Sequence, residues 1–225
     1  MKRHSQLHFV PGAIVILVAL AFTGCRPHLD REISSRVLAL QGDVQCSVGG
    51  QISRLAGDSF LPPGAKISSG PSARVDLMVL PGVLLELAGD TEIEILRLRL
   101  ERDGDESIHP MIARAAEVRL LRRSITASAG RAETDSKFLV RTAFGVVDTG
   151  QEMICRVRVR ADSARVLCIC GQVIVSPSGS KAELTIHKGH FADLPAAGST
   201  AVLIVGAGAE VRAAAPDTFE IEHSP

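Results

Sequence analysis

The chain has 225 residues, with 25 basic and 25 acidic side chains and a formal net charge of zero. That balance lacks the electrostatic footprint of a nucleic-acid binder. No Trp, no Tyr and only seven Phe leave little to build the aromatic platforms on which bases stack, or a groove for sugars. The apolar content comes mainly from Val, Leu, Ile and Ala, which suits a packed aliphatic core.

In chain order, a basic start, Met1-Lys2-Arg3-His4, is followed by an unbroken apolar run from Ala13 to Phe22 and by small residues Thr23-Gly24 ahead of Cys25. A basic head, a short apolar core and a small-residue exit form the pattern of a secretory signal. Pro11-Gly12 and Arg26-Pro27-His28 bound the run, leaving it short of the ~20 residues a spanning helix needs. Ala21-Phe22-Thr23-Gly24-Cys25 resembles a bacterial lipobox, which implies cleavage before Cys25 and lipidation of its thiol. Acyl chains contribute about 0.8 kcal/mol per buried methylene, so several of them anchor a protein firmly. Residues 1–24 are assigned to a lipoprotein-type signal peptide and 25–35 to an anchor and linker. The expected location is the cell envelope, membrane-anchored, facing the periplasm or exterior.

From residue 36 the hydrophobic period is two. Val75-Asp76-Leu77-Met78-Val79, the run Glu92 to Leu100, and Cys155-Arg156-Val157-Arg158-Val159-Arg160 alternate as half-buried strands do. Turn clusters separate them: Gly49-Gly50, Pro62-Pro63-Gly64, Ser69-Gly70-Pro71, Pro81-Gly82, Gly89-Asp90 and Pro177-Ser178-Gly179. The pattern predicts an all-β domain over 36–194, sandwich or solenoid-like. One stretch departs from period two. Between Pro110 and Arg123, residues Ile112, Ala115, Ala116, Leu120 and Leu121 match a helical stripe, while Val118-Arg119-Leu120-Leu121 also reads as a strand; both readings stay open. The region around 102–132 is taken as a short variable insertion. Residues 195–225 hold a last strand candidate, Ala201 to Val205, and a Gly- and Ala-rich tail expected to fray.

A series of strand-and-turn patterns resembles the FecR-type periplasmic domain. Its first half carries Gly42-Asp43-Val44, Leu55-Ala56-Gly57-Asp58, Leu61-Pro62-Pro63-Gly64-Ala65, Ser72-Ala73-Arg74-Val75-Asp76-Leu77 and Gly82-Val83-Leu84-Leu85-Glu86-Leu87. Its second half carries Phe138 to Val147, then Val166 to Val175, then Leu184-Thr185-Ile186-His187-Lys188-Gly189-His190. Ala143 stands where the family commonly has proline, and Gln151 with Met153 replace a Gly-Thr-x-Phe pattern. The best-known members span the inner membrane and relay a signal to a sigma factor. With nothing ahead of its signal sequence and no internal spanning helix, this chain is expected to be a free-standing lipoprotein form. The resemblance implies a domain that binds or scaffolds protein partners and takes part in envelope signalling. A cell-wall polymer-binding module and an uncharacterised envelope enzyme are the alternatives.

Chemistry-bearing residues are few. In an export space that permits disulfides, the remaining cysteines are Cys46, Cys155, Cys168 and Cys170. A hairpin with Asp162-Ser163 at its tip sets Cys155 opposite Cys170 and Val157 opposite Cys168, close enough for a Cys155–Cys170 bridge. Cys46–Cys168 is then a candidate second bridge, and all four also read as small buried thiols. Cys168-x-Cys170 on a strand is a poor match to turn-borne zinc ligands, so no metal and no cofactor are expected. His187 and His190 read as solvated turn residues. No Gly-x-Ser-x-Gly elbow occurs, and Glu92 with Glu94 reads as an exposed edge, so no catalytic residue is assigned. Arg156, Arg158 and Arg160 share a strand face; they read either as a solvated row guarding a sheet edge or as a contact for an acidic partner or anionic headgroups. The expected partners are the membrane, through lipid on Cys25, and an unidentified protein.

Overall fold

The computed structural model describes residues 29–102, 111–131, 135–150, 152–196 and 210–212. Cys25, the apolar run before it and the 201–205 strand candidate lie outside these residues. Among the described residues there are eighteen strands and no helix. The first nine are β1 (Leu29–Glu32), β2 (Ser35–Gln41), β3 (Val44–Val48), β4 (Gln51–Arg54), β5 (Phe60–Leu61), β6 (Lys66–Ser69), β7 (Arg74–Leu80), β8 (Val83–Leu87) and β9 (Glu92–Arg102). The rest are β10 (Met111–Ala129), β11 (Asp135–Thr142), β12 (Gly145–Asp148), β13 (Met153–Val159), β14 (Ser163–Cys170), β15 (Gln172–Pro177), β16 (Glu183–His187), β17 (Phe191–Pro195) and β18 (Glu210–Arg212). The all-β expectation holds.

The strands form two sheets that share β10. In the first, the order is β4, β3, β6, β9, β10, β11, β12, β15, β16, β18, with β1 beside the far end of β9. In the second it is β5, β2, β7, β8, β10, β13, β14, β17. All pairs are antiparallel except β10–β11. The inward faces meet in one continuous aliphatic core, with Ile67, Ile93, Ile95, Val118 and Val140 from the first sheet and Leu77, Leu85, Ile125, Val157 and Val166 from the second. β10 is the one described strand that passes from one sheet to the other, and the alternating pattern accounts for the shared core between the sheets.

β10 settles the open reading of Pro110 to Arg123 in favour of strand. Most of that stretch belongs to a 19-residue strand, neither helical nor peripheral. Its first part pairs with β9 and β11 and its last part with β8 and β13. Inward residues are Ala116, Val118 and Leu120 before the crossing, and Ile125, Ala127 and Ala129 after it. The parity flips where the register shifts between Leu120 and Arg122 and Arg123 takes a φ of 69°. An extra residue at such a bulge re-aims every side chain beyond it, which is what moves the strand into the second layer.

The corners stack. Gly70 N–H donates to Asp43 O at 2.8 Å, and Asp90 N–H donates to Gly70 O at 3.1 Å, tying the β2–β3, β6–β7 and β8–β9 corners together. Buried Ser69 and Thr91 satisfy the backbone beneath them. The Ser69 hydroxyl donates to Ala88 O at 2.7 Å and accepts from Thr91 N–H at 2.9 Å. The Thr91 hydroxyl donates to Ser124 O at 2.9 Å, reaching the β10 crossing. These two buried hydroxyls are thus paired, as a stable interior requires. At the β11–β12 turn the Thr142 hydroxyl accepts from Phe144 N–H at 3.1 Å and donates to Gly145 O at 3.0 Å. That side chain shapes the turn around Ala143.

Candidate functional site

The β13–β14 hairpin carries Cys155, Cys168, Cys170, Arg156 and Arg158, with Arg160 just past the end of β13. The hairpin is tighter than the sequence reading: Val159 faces Ala164, Arg158 faces Arg165, Arg156 faces Leu167, and Cys155 faces Cys168. A register shift between Ile154 and Cys155 then sets Ile154 opposite Cys170. The Cys155–Cys170 pairing is therefore corrected. Cys155 and Cys168 both have no exposed surface, whereas Cys170 is exposed and on the outer side. Cys46 sits on β3 of the first sheet, opposite Ile67 and Ser53, and Cys168 on β14 of the second. All four thiols are free.

Burial, reinforced by the neighbouring Cys168, pushes the Cys155 thiol up to about 12, against a smaller opposing hydrogen bond with the Ala127 backbone. Burial also raises Cys168, whose thiol donates to the carbonyls of Cys170 and Gly171, each at 3.4 Å. Thiols held protonated this way are poor nucleophiles and poor metal ligands. Among the described residues no group of three or more His, Cys, Asp or Glu converges. His187 and His190 are half-buried rather than fully solvated, and the buried Nδ1 of His190 has no hydrogen-bond partner.

The arginine row lies on the outer face of the second sheet, all three residues exposed. Arg156 and Arg158 belong to β13, while Arg160 sits just past its end at the hairpin tip. β13 runs between β10 and β14, so the row guards no edge. Arg156 Nε donates to Thr126 Oγ1 at 3.3 Å, and neither Arg156 nor Arg158 has a carboxylate partner among the described residues. The neighbouring Arg165 contrasts with them: it holds Asp193 through two hydrogen bonds, Nε at 2.7 Å and Nη2 at 2.5 Å, and lies 4.5 Å over the Phe191 ring. Arg156 and Arg158 line a shallow groove of about 310 Å³ with Glu86, Ala88, Ser124 and Thr126. Glu86 is already engaged by Arg74 at 3.2 Å.

An apolar row adjoins the groove. Across the outer face, register sets Phe60 beside Arg36, then Met78, Leu84, Ser128, Ile154 and Cys170 on successive strands. Phe60, Leu84 and Ile154 are exposed. The sequence reading missed this row, because its members come from strands far apart in the chain. Their only local signal is an apolar residue at an outward position of its strand. Glu92 and Glu94, read as an exposed edge, lie instead on β9 between β6 and β10, and Glu94 pairs with Arg119 at 2.9 Å.

No helix among the described residues is long and apolar enough to cross a membrane. No family model matches the chain, and no curated protein does. Two solved structures, at 2.50 and 1.65 Å resolution, are both described as a candidate anti-sigma factor from Parabacteroides distasonis ATCC 8503. Each aligns with a TM-score of 0.44 and 15% identity, covering 62% of this chain and 58% of the other. The chain therefore spans little more than half the length of these neighbours.

Proposed function

We propose that this chain is a non-enzymatic, lipid-anchored protein of the cell envelope whose FecR-like β domain holds a protein partner, docking an acidic segment of it across Arg156 and Arg158. The observation that carries this reading is the pair of exposed guanidiniums, without carboxylate partners among the described residues, on an interior strand. Surface cations usually find acidic neighbours or crowd an edge where they discourage sheet-to-sheet association. These two do neither, and a guanidinium is suited to two-point recognition of a carboxylate. Apolar Leu84 and Ile154 beside them fit a segment that mixes acidic and apolar residues. The FecR-like part of the reading rests on the strand-and-turn series of the sequence.

The test is crosslinking and pull-down from the native envelope, comparing the full chain with an Arg156→Glu/Arg158→Glu variant. Recovery of the partner is expected to drop at least tenfold, equivalent to about 1.4 kcal/mol or more, with an unchanged unfolding midpoint because both side chains are exposed. Equal recovery from both proteins would reject the site. The anchor is tested separately: cells fed radiolabelled fatty acid should label the wild-type chain and leave Cys25→Ala unlabelled and unprocessed. Label on Cys25→Ala would refute the anchor.

A further inference from the structure

We propose that Cys155 and Cys168 are a disulfide site, a covalent clip between β13 and β14 that closes when the chain folds in the presence of a disulfide donor. The two residues face each other directly across the antiparallel pair, and both side chains are fully buried on the inward face of the second sheet. Directly opposed residues have Cα separations of roughly 4.5–5.5 Å, inside the range a disulfide spans. Neither of the other two described thiols is a cross-strand partner of Cys155 or Cys168. Cys46 is on β3 in the other sheet, and Cys170 lies beyond the register shift, exposed on the outer side opposite Ile154. The Cys168 thiol now leans toward the carbonyls of Cys170 and Gly171. Turning it toward Cys155 gives up only weak S–H donation.

The chemistry is ordinary exchange. One thiol loses its proton and attacks the donor disulfide, forming a mixed disulfide and releasing one donor thiol. The second thiolate then attacks the protein sulfur of that mixed disulfide, forming the 155–168 bond and releasing the second donor thiol. Two protein thiols are oxidised by two electrons, and the donor, an oxidised dithiol protein or glutathione disulfide, is reduced to two thiols. Attack requires thiolate, and burial suppresses it in the folded domain. The clip therefore closes while β13 and β14 are still accessible and is then sealed in the core. Its place gives it a role: Arg156 follows Cys155 directly in β13, so the bond would fix the strand that carries the proposed docking row. The inference stands on the strand register and does not depend on the export or docking readings.

Refolding in a glutathione redox buffer tests it without reference to location or partner. Because Cys168 and Cys170 fall on one tryptic peptide, alkylation and non-reducing peptide mapping are done on wild type and on Cys170→Ser. Both proteins are expected to give a linked pair of peptides containing Cys155 and Cys168, with Cys46 alkylated. A 14-residue loop closed in this way should make the unfolding midpoint fall by about 5–10 °C on reduction. Cys155→Ala should abolish both the linkage and the reductant sensitivity. Recovery of Cys155 and Cys168 fully alkylated after oxidative refolding would overturn the inference. Loss of the linkage in Cys170→Ser would do so as well, since it would assign the bond to Cys170.

Discussion

Gly89→Ala is expected to destabilise the domain by about 3 kcal/mol or more, at the upper end of overpacking effects. A Cβ at this position would lie 1.9 Å from Pro71 O and 2.7 Å from Pro71 C. Both are backbone atoms of the neighbouring corner, so no side-chain rotation relieves the clash. Separating the corners would also break the Asp90 N–H to Gly70 O bond and disturb the Ser69–Thr91 network beneath it. Gly57→Ala is the control: nothing lies within 4 Å of its Cβ position, and a change within about 0.5 kcal/mol is expected at such a site. Urea unfolding of the two variants measures the difference. Equal midpoints for Gly89→Ala and wild type would show that the corners are not stacked as described.

Phe138→Ala should cost a comparable amount, about 3–5 kcal/mol. Among the described residues Phe138 is the only aromatic in the set of largest fully buried side chains, 1% exposed, on the strand that pairs in parallel with β10. Removing the ring leaves a void in a core built from smaller aliphatic groups, and the backbone there has little freedom to collapse inward. The Phe138 carbonyl is already held by the Thr149 N–H at 3.0 Å and the Thr149 hydroxyl at 2.9 Å. Phe60→Ala supplies the contrast, since Phe60 is 67% exposed on β5. Thermal unfolding should separate the two by about 6 °C or more. A Phe138→Ala midpoint matching that of Phe60→Ala would remove Phe138 from the core.

Period two reports which face of a strand is buried, and it placed β7, β9 and β13 correctly from residues such as Val75, Ile93 and Val157. It cannot detect a slip of two residues, because such a slip keeps every side chain on its original face. The β13–β14 register was off by this amount, so the arginines were correctly exposed while Cys155 was matched to the wrong cysteine. The register shift at Ile154 then moved Cys170 to the outer side, which alternation does not foretell. β10 was harder still. Ala115, Ala116, Leu120 and Leu121 imitate helical spacing because bulges interrupt the strand's alternation, and only pairing with β9, β8 and β13 settles its conformation.

The sequence by itself determined that the chain is all-β, where most turns fall, and which side chains reach the core, because each of these follows from local backbone preference and burial of alternate residues. It also carries the lipobox resemblance at Cys25. Tertiary structure alone decided that β10 joins two sheets, that Arg156 and Arg158 stand on an interior strand without acidic partners among the described residues, and that Cys155 faces Cys168. Each depends on which strand lies beside which and in what register. Such long-range pairing is chosen by the whole core at once rather than by any segment of the chain.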